Sequence, residues 1–227
     1  MSASGVIPID RHHPAPSDLL VLARHLRRGR PVVLPTETQY ALAADATSQD
    51  ATARVRQIKG RGAKSPFSIF LAGVESCAQW RIKVPECAAL LAHHFWPGPV
   101  TLILPTANPL FKLLGGKGDS VGVRVTPEPV IAELLARLRG PLLATSANPS
   151  GVLLAPEAEN RWLAAQARSG DLLWAKPTRY HRRRASTIID CTGRVPIQLR
   201  PGPISEAEWR SVLYNHTGNA RDRSDGQ

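Results

Sequence analysis

Residues 141–151 have the sequence PLLATSANPSG, a short apolar run that passes directly into a cluster of turn-forming residues. The preceding residues, 128–139, place their apolar side chains on one helical face, and this pattern ends at Gly140. A second helical pattern follows at 157–168. Helix, strand, turn and helix thus follow one another without a linker, which is typical of a domain that combines helices with a β-sheet.

The same alternation continues along most of the chain. Further strands are predicted at 31–35, 66–71, 100–104, 121–125, 171–174, 187–190 and 196–199. Further helices are predicted at 17–28, 50–58, 74–80, 85–95 and 206–214. We therefore predict an α/β (α+β) fold, with one domain at 15–203 built on a twisted mixed sheet flanked by helices. A short helix and a disordered polar tail are expected at 204–227.

Composition limits the class of protein and its partners. The 227 residues carry a formal net charge of +11 at pH 7, which favours anionic partners such as nucleotides, pyrophosphate or RNA. The densest basic cluster is RYHRRR at 179–184. No apolar run is long enough to cross a membrane, and the three cysteines lack C-x-x-C spacing. We expect a cytoplasmic protein without a membrane span or a protein-held metal.

Polar side chains follow several of the predicted strands. Thr36 and Thr38 come after the first strand, Ser146 and Asn148 follow the strand quoted above, and Arg200 follows the last one. In open α/β sheets, ligands bind outside the carboxyl ends of the strands, where such loops converge. The sequence therefore predicts a binding site at this edge of the sheet.

Lys59 and Arg61 offer an ammonium group and a guanidinium group on a glycine-flanked turn. Such a turn suits a phosphate chain, but a basic residue at a helix C-terminus is also favoured by the helix dipole alone. A P-loop, a G-x-G-x-x-G turn and a G-x-S-x-G elbow are all absent from the sequence. The residues by themselves leave a nucleotide site and a structural helix end as open alternatives.

Eight short stretches, taken in order, resemble the YrdC-like family, and specifically its short threonylcarbamoyl-AMP synthases. The resemblance covers about residues 17–203, and its stretches are PTETQYAL at 35–42, IKGR at 58–61, WPGPVT at 96–101, VGVR at 121–124, ATSAN at 144–148, SG at 150–151, STIID at 186–190 and LRPG at 199–202. Each stretch is a weak motif by itself. Their shared order is what carries the resemblance.

The resemblance implies a fold with a basic central cavity and an ATP-dependent nucleotidyltransferase activity. L-threonine, bicarbonate and ATP would give threonylcarbamoyl-AMP and pyrophosphate, for the N6-threonylcarbamoyladenosine modification of tRNA. ATP would be a substrate, and Mg²⁺ would be carried by its phosphates. The macromolecular partner that the resemblance implies is tRNA or the downstream threonylcarbamoyl transferase complex.

The resemblance also assigns roles to individual residues. The implied catalytic residues are Lys59, Arg61, Ser146 and Asn148. The implied threonine contacts are Thr36, Arg124, Thr145 and Ser186. The implied ATP contacts are Lys59, Ser120, Ser146 and Arg200. The chemistry of these residue types agrees, because an arginine such as Arg124 can bind a carboxylate through two parallel hydrogen bonds.

Three positions depart from the family pattern. Ala41 stands where the family usually has glycine, Gly62 where proline usually follows K-G-R, and Ser65 where a lysine or asparagine is common. The basic cluster at 179–184 directly precedes Ser186, so we expect it either to be a solvated loop or to supply cations at the mouth of the cavity. The alternative function is a non-catalytic paralogue that binds tRNA or rRNA through the same basic cavity.

Overall fold

The computed structural model describes residues 5–60, 62, 65–112, 114, 119–180 and 183–221. These residues form ten strands and eight helices. In chain order they are β1 (Val6–Ile9), α1 (Pro16–Arg27), β2 (Val32–Leu34), β3 (Ala41–Asp45), α2 (Gln49–Lys59), β4 (Ser68–Phe70), α3 (Ser76–Gln79), α4 (Glu86–Phe95), β5 (Val100–Pro105), α5 (Pro109–Lys112), β6 (Ser120–Arg124), α6 (Pro129–Leu138), β7 (Leu142–Ser146), α7 (Pro156–Ala167), β8 (Leu173–Pro177), β9 (Thr187–Asp190), β10 (Ile197–Arg200) and α8 (Glu206–Arg221).

All ten strands belong to one sheet with the order β1-β8-β2-β3-β7-β4-β6-β5-β9-β10. Four neighbouring pairs are parallel, namely β1/β8, β8/β2, β4/β6 and β5/β9, and the other five are antiparallel. This arrangement confirms the predicted mixed sheet. The strand quoted first, β7, lies near its centre between β3 and β4.

Helices cover the two faces of the sheet unequally. One face packs against apolar side chains of α2, α4, α7 and α8. On the other face, α1 and α6 pack together over β1, β8, β2, β3 and β7. Each of these helices is amphipathic, so its apolar stripe needs a partner surface. The face that α1 and α6 leave uncovered, over the second half of the sheet, contains the cavity described below.

Two strands were missed by the sequence patterns. Strand β3 (ALAAD) consists largely of alanine, a poor strand former, and its first four residues are buried. Its place between β2 and β7 overrides that weak propensity. Strand β1 contains Pro8, which a sheet tolerates at its edge, where β1 lies. At the other end, α8 continues to Arg221, beyond the expected helix end at 214.

Candidate active site

A cavity of about 260 Å³ opens on the less covered face of the sheet. Residues at alternate positions of the strands line it, because side chains two residues apart point to the same face of a sheet. Its polar lining comprises Thr36, Thr38, Gln39, Ser68, Thr101, Arg124, Thr145, Ser146, Ser186 and Arg200. The structure thus brings together residues from loops and strands that are up to 164 positions apart in the sequence.

The loop after β2 is closed by the hydroxyl of Thr36. Thr36 Oγ1 donates to the carbonyl of Gln39 at 2.6 Å and accepts from the backbone N–H groups of Thr38 and Gln39 at 3.0 and 3.2 Å. The Thr38 hydroxyl lies 2.9 Å from the Thr36 hydroxyl. This turn holds both hydroxyl groups in the cavity wall.

Arg124, at the end of β6, is held on three sides. Its Nε donates to the carbonyl of Gly98 at 3.2 Å, and its Nη2 donates to Glu37 Oε1 at 2.7 Å and to Thr38 Oγ1 at 3.0 Å. Glu37 in turn accepts from the hydroxyl of Thr126 at 2.7 Å. Nη1 is therefore the group of Arg124 that can meet a ligand in this arrangement. The chemistry of arginine alone suggests that a carboxylate binds to both Nη atoms at once. Because Nη2 already donates to Glu37 and Thr38, a carboxylate at this site would bind through Nη1.

Arg200, at the end of β10, is fixed by Ser186. Its Nε donates to the Ser186 carbonyl and its Nη2 to Ser186 Oγ, both at 3.0 Å, while Ser186 Oγ lies 2.9 Å from Thr101 Oγ1. Much of the Arg200 side chain is exposed to solvent, but its guanidinium group lies in the cavity wall. Burial there, together with the neighbouring cation of Arg124, lowers the pKa of Arg200. Because Arg124 is paired with the Glu37 carboxylate, it is mainly the guanidinium group of Arg200 that makes the cavity attractive to anions.

Lys59 ends α2 and reaches across to the loop after β7. Its Nζ donates to the carbonyls of Ser146 and Asn148 at 2.6 and 2.7 Å and to Asn148 Oδ1 at 3.3 Å, and its own carbonyl accepts from the N–H of Ser150 at 2.9 Å. Gly60 terminates the helix in the left-handed conformation. The predicted association of Lys59, Ser146 and Asn148 is therefore present, and Arg61 lies outside the described residues.

Only some of the expected site residues line the cavity itself. Ser146, with Thr36, Arg124, Thr145, Ser186 and Arg200, does so. Lys59 and Asn148 are not among the lining residues. Lys59 is only 4% exposed, and its ammonium group bonds to the Ser146 carbonyl and to Asn148 Oδ1. Ser120 begins β6 on the face shared by Gly122 and Arg124, and it lies beyond the residues that line the cavity.

Several contacts in and beside the cavity carried no sequence signal that could have predicted them. Glu37 and Thr38 lie within a matched motif, yet their role as partners of Arg124 depends on a contact across more than 80 residues. Thr101 follows the W-P-G-P turn and bonds to Ser186. Strand alternation could have placed it on the cavity face, once the strand order was known.

Two stacked tyrosines connect the cavity lining, which includes Tyr40, to the basic cluster at 179–184, which includes Tyr180. The rings of Tyr40 and Tyr180 lie 3.9 Å apart at an angle of 29°, and burial raises the pKa of both phenols. The backbone N–H of Arg183 donates to the Thr38 carbonyl at 2.7 Å. These contacts attach both ends of the basic cluster to residues that line the cavity.

The three departures from the family pattern have different consequences here. Ala41 lies in β3 without a positive φ and lines the cavity, so its methyl group narrows the cavity without straining the backbone. Gly62 and Ser65 belong to a turn in which the Ser65 N–H donates to the Gly62 carbonyl at 3.1 Å. Arg56 donates to both carbonyls of this turn, at 3.0 and 3.1 Å, and its guanidinium lies 4.6 Å from the Phe67 ring centroid.

Within the part of the chain that the structure describes, no group of three or more histidine, cysteine, aspartate or glutamate side chains is arranged to hold a metal ion. None of the helices described is long and apolar enough to span a membrane. The donor set around the cavity is cationic and hydroxylic, which suits an anionic ligand better than a bare cation.

Comparison with known proteins gives consistent matches. Residues 24–202 match the Sua5/YciO/YrdC family model, described as "Telomere recombination". The threonylcarbamoyl-AMP synthase of Pyrococcus abyssi is 34% identical over 193 residues, which span 85% of this chain but only 56% of that relative. The putative threonylcarbamoyl-AMP synthase of Mycobacterium tuberculosis (strain CDC 1551 / Oshkosh) is 34% identical over 192 residues, which span 83% of this chain and 85% of that protein.

Solved structures agree with these matches. P. abyssi Sua5 in complex with L-threonine superposes with a TM-score of 0.79 at 31% identity, covering 92% of this chain and 60% of that one. Escherichia coli YciO superposes with a TM-score of 0.75 at 26% identity, covering 87% of this chain and 95% of that one.

Proposed function

Since this chain belongs to the Sua5/YciO/YrdC family, we propose that it is a nucleotidyltransferase that makes L-threonylcarbamoyl-AMP from L-threonine, bicarbonate and ATP and releases pyrophosphate. The product would serve the N6-threonylcarbamoyladenosine modification of tRNA in the cytoplasm. The observation that carries the proposal is the cavity in which Arg124 and Arg200 lie among threonine and serine hydroxyl groups.

The threonine subsite is proposed at Arg124. Its Nη1 would bind the substrate carboxylate, while Glu37 and Gly98 keep the guanidinium plane fixed. The hydroxyl groups of Thr36 and Ser186 and the strand position of Thr145 would contact the rest of the amino acid. Because the hydroxyl groups of Thr36 and Ser186 are already oriented by other hydrogen bonds, little ordering of these two groups would be needed on binding.

The nucleotide subsite is proposed around Arg200 and Ser146. The guanidinium of Arg200 would face the phosphate chain, and Ser120, further along the same face of β6, would contact the nucleotide. Lys59 and Asn148 would hold the loop that presents Ser146. Arg61, the residue after Gly60, would be the remaining catalytic residue. The phosphates of ATP would carry the Mg²⁺, since the cavity offers cations and hydroxyl groups rather than carboxylates.

The proposed reaction needs positioning and charge stabilisation more than covalent help from the protein. The threonine amine and bicarbonate form a carbamate with loss of water, and a carbamate oxygen then attacks the α-phosphorus of ATP. The bond to the bridging oxygen breaks, and pyrophosphate leaves with the electron pair. Fixed guanidinium groups stabilise charge that develops on the phosphates, at no cost in reorganisation.

The proposal is tested by incubating the purified protein with ATP, L-threonine and bicarbonate. Pyrophosphate should appear only when threonine and bicarbonate are both present, and mass spectrometry should detect threonylcarbamoyl-AMP. Arg200→Ala should lose this activity, because it removes one of the two cavity cations. Failure to release pyrophosphate in a threonine-dependent way, together with tight RNA binding by the cavity, would favour the non-catalytic alternative.

A further inference from the structure

The side chain of Arg56 joins the end of helix α2 to the turn that follows it. Arg56 lies in the last turn of α2, and its own carbonyl accepts the N–H of Gly60. Its Nη1 donates to the carbonyl of Gly62 at 3.0 Å and to that of Ser65 at 3.1 Å. Because Nη1 carries two hydrogens, this single group can bind both ends of the 62–65 turn at once.

The same guanidinium group packs against a residue of the cavity wall. It lies 4.6 Å from the centroid of the Phe67 ring. Phe67 lines the cavity together with its neighbours Pro66 and Ser68, whereas Arg56 is not among the lining residues. Arg56 is partly buried, and burial lowers its pKa because the charged guanidinium has lost part of its water. Desolvation of this kind strengthens a contact between a cation and an aromatic ring.

The backbone of the 62–65 turn is poorly restrained by its own residues. Gly60 and Gly62 flank Arg61 in the sequence, and glycine leaves the backbone more conformational freedom than any other residue. Gly60 needs that freedom, because it caps α2 in the left-handed conformation. Gly62 does not, since it lacks a positive φ and a Cβ built on it would meet no atom of the described residues within 4 Å. The Arg56 side chain supplies the restraint that Gly62 does not give.

The helix dipole alone does not account for these contacts of Arg56. The dipole favours a cation in the last turn of α2, and Lys59 already meets that preference. Arg54, on the same helix, extends its side chain into solvent. The Arg56 side chain is directed instead toward two carbonyls and an aromatic ring that all lie beyond the helix.

We propose that Arg56 is a positioning residue for the use of ATP. It fixes the 62–65 turn, and with it the adjoining cavity wall at Phe67 and the backbone that follows Arg61. The assignment rests on the proposed function, in which Arg61 is a catalytic residue. Arg56 itself would touch neither substrate, because its guanidinium is occupied by the turn and the ring.

The strand that follows the turn shows which substrate should be affected. Strand β4 runs parallel to β6, and its first residue, Ser68, pairs with Gly122. Gly122 lies two residues from Ser120, the proposed nucleotide contact. The last residue of β4, Phe70, pairs with Arg124 of the proposed threonine subsite. The 62–65 turn precedes the first of these ends, so its loss of order should impair the use of ATP and leave threonine binding intact.

The test compares the loss of Arg56 with and without a stiffer turn. R56M keeps the apolar stem of the side chain and removes its donors, and G62P stiffens the turn by fixing φ. The N–H that proline would remove forms no backbone hydrogen bond among the described residues. The control is R54M, which removes an exposed cation from the same helix. Pyrophosphate release by the full chain gives kcat and KM for ATP and for threonine in each variant and in R56M/G62P.

R56M should lower kcat/KM for ATP about 20-fold, with KM for threonine within about twofold of the wild type. In the G62P background the same substitution should lower kcat/KM for ATP less than about threefold, because the turn is then restrained without Arg56. R54M should stay within about twofold of the wild type. Equal losses in both backgrounds, a parallel rise in both KM values, or no effect of R56M would overturn the proposal. If G62P lowers Tm strongly, G62A replaces it, with the same direction of recovery expected.

Amide exchange at Ser65 tests the support of the turn without reference to catalysis. The Ser65 N–H donates to the Gly62 carbonyl at 3.1 Å, and the Thr52 N–H donates to the Ser48 carbonyl at 3.1 Å at the start of α2. R56M should speed exchange at Ser65 about tenfold relative to Thr52, which reports on the helix itself. Unchanged exchange at Ser65 would overturn the proposal. A wild-type protein that releases no pyrophosphate, with faster Ser65 exchange in R56M, would refute the proposed function while the support of the turn by Arg56 stands.

Discussion

Replacement of Lys59 by methionine tests whether this residue acts as the support for the loop that carries Ser146. Methionine keeps most of the buried stem of the side chain but removes the ammonium group. Three acceptors then lose their donor: the carbonyls of Ser146 and Asn148, and Asn148 Oδ1. The side chain is only 4% exposed, so solvent can replace that donor poorly.

The expected loss of stability follows from these contacts. A hydrogen bond to a charged group contributes about 1.5–3 kcal/mol, but the variant also avoids the cost of burying an ammonium group. We expect a net loss of about 3 kcal/mol in the free energy of unfolding. For a chain of this size, that lowers Tm by about 6–12 °C. Activity should fall about 100-fold or more, because Ser146 would no longer be held in place.

The assay combines thermal unfolding with threonine-dependent pyrophosphate release, measured well below the Tm of the variant. Lys83→Met is the matched control, because Lys83 is exposed. A Lys59→Met protein as stable as this control would refute the supporting role. Activity lost without any change in Tm would mean instead that the ammonium acts on the substrate directly.

Three further predictions concern other parts of the site and the fold. Glu37→Gln should raise KM for threonine about tenfold with a smaller change in kcat, because the cavity arginine that it holds would lose its orientation; Glu133→Gln, which breaks a surface pair, should leave KM unchanged. Arg183→Glu/Arg184→Glu should raise KM for ATP if the basic cluster supplies cations at the cavity mouth, and an unchanged KM would discard that role. Burial lowers the pKa of His25 below its usual 6.5, so the unfolded chain takes up the proton more readily. The free energy of unfolding should then decrease as the pH falls below about 6.5, and His25→Gln should flatten this dependence in denaturant titrations.

Periodicity and turn residues were sufficient to predict most of the fold. Helix α6 and strand β7 carry strong patterns of their own, and both lie where the sequence placed them. Strand β3 was missed because its alanines fit many structures. Only its neighbours β2 and β7, which supply hydrogen bonds on both sides, make it a strand. A local sequence pattern reflects the intrinsic secondary-structure preference of a segment. It contains no information on which strands or helices lie next to that segment in the fold.

The candidate site was predictable as a set of residues but not as a set of contacts. Thr36, Arg124 and Ser186 do line one cavity. From the sequence alone, every N–H group of the Arg124 guanidinium could bind a ligand. In the structure, Nε and Nη2 already donate to Gly98, Glu37 and Thr38. The contact with Glu37 joins residues 87 positions apart, and no spacing rule within a single segment could predict it.

Lys59 shows why the two interpretations of the K-G-R motif need not exclude each other. Its place at the end of α2 is the structural helix end that the dipole favours. From that place its ammonium fixes the loop of Ser146, which lines the cavity. Gly62 and Ser65 lie beyond Gly60, in a separate turn held by Arg56. Their departure from the family pattern therefore changes the turn after the motif and leaves the contact between Lys59 and Ser146 intact.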